Sequence, residues 1–138
     1  MRSGNIEAFD AETAANGPLE MYEDSLQRTW TVIVAEADQE VRKAVAAALW
    51  RIGCNVAQAP DGRVVRTLLR TLERVDLLLT DYHLPAVVSS IELTAAARAH
   101  HPEIKVLFIG DLASLVKERP PGCLRDLVGV VKALLEKS

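Results

Sequence analysis

The run Thr31-Val32-Ile33-Val34-Ala35 is short, β-branched and apolar at every position except the threonine. A strand that alternates faces would show polar residues at every second place, so this one is fit for burial on both faces of a sheet. Asp38 stands where it can cap a helix, and Val41, Val45, Ala48, Leu49 and Ile52 follow at helical spacing up to Gly53, which suits a left-handed helix end. The same unit then repeats. Cys54 to Ala59 reads as a second strand and Pro60-Asp61-Gly62 as a turn. A helix from Gly62 to about Arg74 turns Val65, Leu68, Leu69 and Leu72 inward and carries Arg63, Arg66, Arg70 and Arg74 on the face expected to meet solvent. Val75 to Thr80 is a third buried strand, ending at Asp81. Ser89 and Glu92 are spaced as a capping box for a third helix reaching His100, Pro102 interrupts, and Ile104 to Ile109 is a fourth strand. The alternation predicts an α/β fold, a doubly wound parallel sheet between two layers of helices with right-handed crossovers.

With 138 residues the chain has the length of one domain. Aromatics make up 4%, so the core is expected to be aliphatic. The net charge of −3 is uneven. Residues 1–28 hold two basic and six acidic side chains and read as a flexible acidic tail, in which Pro18 to Gln27 could form a short helix. Residues 29–138, the expected domain, are nearly neutral and offer no basic footprint for nucleic acid. Cys54 and Cys123 form no CxxC pair and read as reduced small hydrophobes. No apolar run approaches the roughly 20 residues that span a bilayer. There is also no signal pattern at the N-terminus, so a cytoplasmic location away from membranes is expected.

In a doubly wound sheet, ligands bind beyond the carboxyl ends of the strands, where strand order reverses. With the first strand central, Glu36 and Asp38 at its end and Asp81 at the end of the third strand converge on one cleft. Clustered carboxylates repel one another, and a hard cation such as Mg2+ holds such oxygens together. Spacing alone fits equally well with acids that merely punctuate strand ends and cap helices.

The segment Val32-Ile33-Val34-Ala35-Glu36-Ala37-Asp38-Gln39-Glu40-Val41-Arg42 resembles the first strand and acidic turn of response-regulator receiver domains in two-component signalling. Ala59-Pro60-Asp61-Gly62 is similar to their second-strand turn, and Asp76 to Pro85 to the phospho-acceptor strand and its loop. Leu127 to Glu136 resembles the closing helix, so the likeness covers about residues 30–138. It implies a flavodoxin-like receiver fold and a phosphate accepted on Asp81 from a histidine kinase or phosphotransfer protein. It also implies Mg2+ held by Glu36, Asp81 and the backbone carbonyl of His83. The side chain of His83 is then expected to be exposed, with His100 and His101 a capping and surface pair.

Against the family pattern, three departures stand out. The second metal-binding acid is replaced by Ala37, leaving Asp38 one residue along. Ile109-Gly110-Asp111 lacks the Ser or Thr that contacts the phosphoryl group, Ser114 is too far along, and Asp111 adds negative charge. Gly110 to Leu124 has room for a stub of the fourth helix, capped by Asp111 with Leu112, Leu115 and Val116 at helical spacing, or for a strand, but not for both. The fifth strand is therefore expected to be absent or cut to Cys123-Leu124. Lys117 is the nearest candidate for the phosphate-contacting lysine, although Glu118 and Arg119 beside it suit a solvated helix face. Ala86-Val87-Val88 forms an unusually apolar loop, either a sticky patch or a segment folded over the site.

Two functions follow. One is a single-domain phosphorelay receiver with a weakened site, which is not an enzyme and acts through a partner. The other is a pseudo-receiver, an interaction module independent of phosphate. The altered face admits a homodimer that completes the sheet edge. A third class, an unrelated α/β enzyme or nucleotide binder, lacks a Gly-rich phosphate loop, a nucleophile elbow or a Cys/His dyad.

Overall fold

The computed structural model describes residues 28–117 and 123–137. Its elements run β1 (Trp30–Ala35), α1 (Gln39–Arg51), β2 (Cys54–Ala59), α2 (Gly62–Thr71), β3 (Leu77–Asp81), α3 (Ser90–His100), β4 (Lys105–Ile109), α4 (Leu112–Lys117) and α5 (Cys123–Glu136). The four strands are parallel in the order β2-β1-β3-β4, so the two apolar runs that signalled double-sided burial occupy the centre. Alternate side chains of these central strands feed two cores. Val32, Val34, Leu77 and Leu79 meet α1, α4 and α5 through Val41, Val45, Leu49, Leu112, Leu127 and Val131. Ile33, Ala35 and Leu78 meet α2 and α3 through Val65, Leu69, Leu93 and Ala97.

The helix starts obey the capping chemistry in the sequence. The Asp38 carboxylate accepts from the N–H groups of Glu40 and Val41, and the Asp61 carboxylate does the same for Arg63 and Val64. Gly53 ends α1 at φ 100°, the left-handed region that a side chain resists. At α3 only half of the capping box forms. Ser89 Oγ accepts from Glu92 N–H, while the Glu92 carboxylate pairs with Arg66 across the α2–α3 contact instead of reaching back. His101 lies past the helix end with Nε2 2.9 Å from the Leu69 carbonyl oxygen, tying α3 to α2, and His100 is exposed.

Strand β4 begins at Lys105, one residue after the expected Ile104, and three further boundaries differ more. Helix α2 stops at Thr71 because Leu72 turns extended, which leaves Arg74 free of the helix to pair with Asp76 at 3.0 Å. Strand β3 begins at Leu77, not at Val75. Asp76 instead fastens three strand beginnings: its carboxylate accepts from Thr31 N–H at 2.8 Å, its own N–H donates to the Thr31 carbonyl, and its carbonyl accepts from Lys105 N–H. Cys123-Leu124 is the first turn of α5 and not a strand remnant, and among the described residues there is no fifth strand. Leu124, Leu127, Val128, Val131 and Leu135 lie at helical spacing, and packing them against α1 and α4 buries more than a two-residue strand could. The expected helix Pro18 to Gln27 falls outside the described residues, as does nearly all of the acidic segment 1–28. Among the described residues no helix is long and apolar enough to cross a membrane.

Candidate functional site

Strands β1 and β3 run in register with Ala35 beside Thr80, so the next residue of each, Glu36 and Asp81, stand abreast at the carboxyl edge. Both are almost buried, at 6% and 9% exposed. Asp81 is held from both sides by main-chain donors: His83 N–H gives to Oδ1 at 2.7 Å and Leu112 N–H to Oδ2 at 3.3 Å. Glu36 accepts from Asp38 N–H through Oε2 at 2.8 Å, while its Oε1 is buried with no hydrogen-bond partner. Burial, more than any other cause, raises the Glu36 pKa above its usual value, and the adjoining Asp81 carboxylate adds to the rise.

The other sequence candidates sit around this pair in different roles. Asp38 is occupied as the α1 cap through Oδ1, and its Oδ2 lies 3.4 Å from Lys117 Nζ. The main-chain N–H of Val41, the largest influence, and the Lys117 ammonium both hold its pKa below the usual carboxylate value. Asp38 therefore faces the rim while Glu36 faces the cleft. Lys117 reaches that rim from the end of α4, more than half exposed, and so stands near the acids but on Asp38 and not on Asp81. The exposed side chain of His83 lies outside the cleft. Ser114 turns its hydroxyl to Asp111 at 2.8 Å and is spent there, which also lowers the Asp111 pKa. Gly110 fills the place after β4, and a Cβ added there meets nothing within 4 Å.

Sequence reasoning missed three contributors. The Leu112 N–H has no sequence signature, because every residue but proline carries one. Arg42 lies one helical turn beyond Asp38, and that spacing does signal a shared face. Its guanidinium donates to the Glu36 carbonyl at 2.9 Å and to Gln58 Oε1 at 3.1 Å, bracing the end of β1 against β2. Gly62 opens α2 directly under the β3–α3 loop: its N–H donates to the Pro85 carbonyl at 2.8 Å, and a Cβ there would lie 2.2 Å from the Ala86 carbonyl oxygen. The loop divides the two outcomes expected of it. Ala86 adopts φ 63°, Val87 packs inward, and Val88 stays 80% exposed.

Chemically, the cleft offers two adjoining carboxylates, one with a buried oxygen that lacks a partner, with Asp38 at its rim. Among the described residues no group of three His, Cys, Asp or Glu side chains is placed to hold a metal ion. Mg2+ keeps most of its waters and accepts one or two carboxylates, so Glu36 and Asp81 fit it as a sparse site. The unpartnered Glu36 oxygen is the atom that such a cation would satisfy.

The family model for the response regulator receiver domain matches residues 32–118, more than half of the chain. None of the curated proteins matches. Among solved structures, a response regulator receiver protein from Sinorhizobium medicae is similar at TM-score 0.64 and 18% identity, covering 81% of this chain and 98% of its own. A response regulator receiver domain protein from Clostridium thermocellum is similar at TM-score 0.60 and 16% identity, covering 79% and 96%. The receiver domain of DrrB, activated with beryllofluoride, is similar at TM-score 0.58 and 23% identity, covering 78% and 98%.

Proposed function

The chain belongs to the response regulator receiver domain family, and on that premise we propose that it accepts a phosphoryl group on Asp81 from a histidine kinase or phosphotransfer protein, through a pared-down site. The observation that carries this reading is Asp81 at the end of β3, beside a buried Glu36 whose Oε1 has no partner. A carboxylate oxygen of Asp81 attacks the phosphorus of a phosphohistidine, the new P–O bond replaces the P–N bond, and the histidine nitrogen leaves. His83 N–H and Leu112 N–H orient the attacking carboxylate. Glu36 and Asp81, with the His83 carbonyl, would hold Mg2+, which when bound supplies positive charge against the phosphoryl oxygens.

The protein on this reading is a stoichiometric signal carrier in the cytoplasm and not a turnover enzyme. What is pared away is specific. No hydroxyl stands at Gly110 to contact the phosphoryl group, Asp38 is bound to its helix and to Lys117, and Lys117 must leave Asp38 to meet a phosphate. These same facts favour the second reading, a pseudo-receiver that keeps the fold and signals through contacts alone.

Beryllofluoride with Mg2+, added to the full chain, separates the two. Shifts in the backbone amide resonances of residues 36–38, 81–84 and 109–112, abolished by Asp81→Asn, are expected of the phospho-acceptor. No shift at saturating Mg2+ assigns the chain to the pseudo-receivers. Gly110→Ser, which places a hydroxyl in open space after β4, should strengthen the response if the phosphoryl group docks there.

A further inference from the structure

Strand β4 is the outer strand on one side of the sheet, and among the described residues no strand pairs with its far side. Lys105 N–H donates to the Asp76 carbonyl and the Ile109 carbonyl accepts from Tyr82 N–H, so the odd-numbered residues turn their main-chain groups toward β3. In a parallel ladder the alternate residues face the other way, which points the N–H and C=O of Val106 and Phe108 off the edge. Four of the five residues of β4 are apolar, and all five are only half-buried. Natural sheets avoid leaving such an edge bare.

Among the described residues the neighbouring face is only partly covered. Val106 and Phe108 lie on the α2/α3 side, where Phe108 meets Tyr82 edge-on at 5.8 Å and Tyr82 is 59% exposed. Neither α4 nor α5 contributes to that side, since both pack on the α1 side.

We propose that β4 binds a second copy of this chain, antiparallel about a two-fold axis at Leu107, to give a continuous eight-stranded sheet across the dimer (twice the four strands of one chain). The edge is complementary to itself in this register. Leu107 faces Leu107 of the second copy, Val106 faces its Phe108, and Phe108 faces its Val106, so every outward N–H and C=O of both strands is used. Sliding the pair toward Ile104 is opposed, because Ile104 N–H is already given to the His101 carbonyl. The side chains agree with the backbone. Val106 against Phe108 is a β-branched–aromatic pair of the kind that stabilises antiparallel ladders. None of this depends on whether Asp81 takes a phosphate.

Sedimentation of the full chain over a wide concentration range, with amide exchange on the same samples, tests the proposal. Expected are a monomer–dimer equilibrium and protection of the Val106 and Phe108 amides that grows with concentration. Val106→Pro deletes one outward N–H and leaves the bonds to β3 intact, as edge strands allow. It should weaken dimerisation by about tenfold or more, since two symmetric hydrogen bonds are lost. A monomer at every concentration overturns the proposal, as does a dimer indifferent to Val106→Pro. Protection of Val106 and Phe108 that ignores concentration also overturns it, because the chain would then be covering its own edge. The exchange measurement needs no variant, so the test stands even if Val106→Pro fails to fold.

Discussion

On one side of the sheet, β2 runs into a loop packed so tightly that a methyl group at Gly62 would lie 2.2 Å from a carbonyl oxygen, while on the other, β4 runs into Gly110, where the same methyl group meets nothing within 4 Å. The outer strand β2 has buried Cys54, Ala57 and Ala59, and its Gln58 is held by Arg42. The outer strand β4 has no fully buried residue and no such brace among the described contacts. Two strands of equal rank in the sheet thus sit in different surroundings. Close packing around the first fixes the end of the cleft that holds Glu36. The second is relaxed on the side where the family pattern expects its hydroxyl and a further strand.

Substitutions can break this comparison or sharpen it. The largest effect is expected in the centre: Leu79→Ala, fully buried in β3, should cost about 3 kcal/mol or more, against about 1 kcal/mol for the half-buried Leu107→Ala in β4. Equal losses in chemical denaturation would mean that β4 is as well covered as the centre. Next comes the glycine pair. Gly62→Ala should cost about 2 kcal/mol, because the atom it strikes is main chain and cannot swing away, whereas Gly110→Ala should change stability by no more than about 0.5 kcal/mol.

Glu36→Gln should do the reverse and stabilise the metal-free protein by about 1 kcal/mol near neutral pH, because an amide can donate to Asp81 where the carboxylate only adds charge. The sign follows from the raised pKa. Folding favours the protonated acid, so the stability Glu36 contributes is present below its unfolded pKa and lost as pH rises through the folded one. Denaturation across that range should show a decline in the parent chain that the glutamine variant lacks. The same variant should lose its response to Mg2+. Smallest is Lys117→Met, which breaks an exposed pair with Asp38 and should leave the denaturation midpoint nearly unchanged.

Four parallel strands were legible in the sequence, because double-sided burial leaves uninterrupted apolar runs and cap residues mark where helices start; that β1 lies beside β3 and brings Glu36 to Asp81 was implied by the resemblance to receiver domains and not by spacing. Less legible was where elements stop. Leu72 fits a helical stripe, yet it turns extended one residue past α2. Cys123-Leu124 is apolar enough for a strand, yet its fate was decided by Leu127, Val128 and Val131 downstream. Nothing local said that α4 would pack on the α1 side, which depends on where the partners of Leu112 lie. The donors to Asp81 were invisible for the reason given above: main-chain groups are the same in every sequence.

Leu112 has two employments at once. Its amide holds Asp81, and its side chain, fully buried, is wedged between α1 and α5. A rearrangement of the carboxylate must therefore either part that bond or drag an aliphatic group through a close-packed interior, where intermediate positions are poorly accommodated. Were Asp81 to rearrange, the change would reach α4 as a step between two packings and not as a gradual bend.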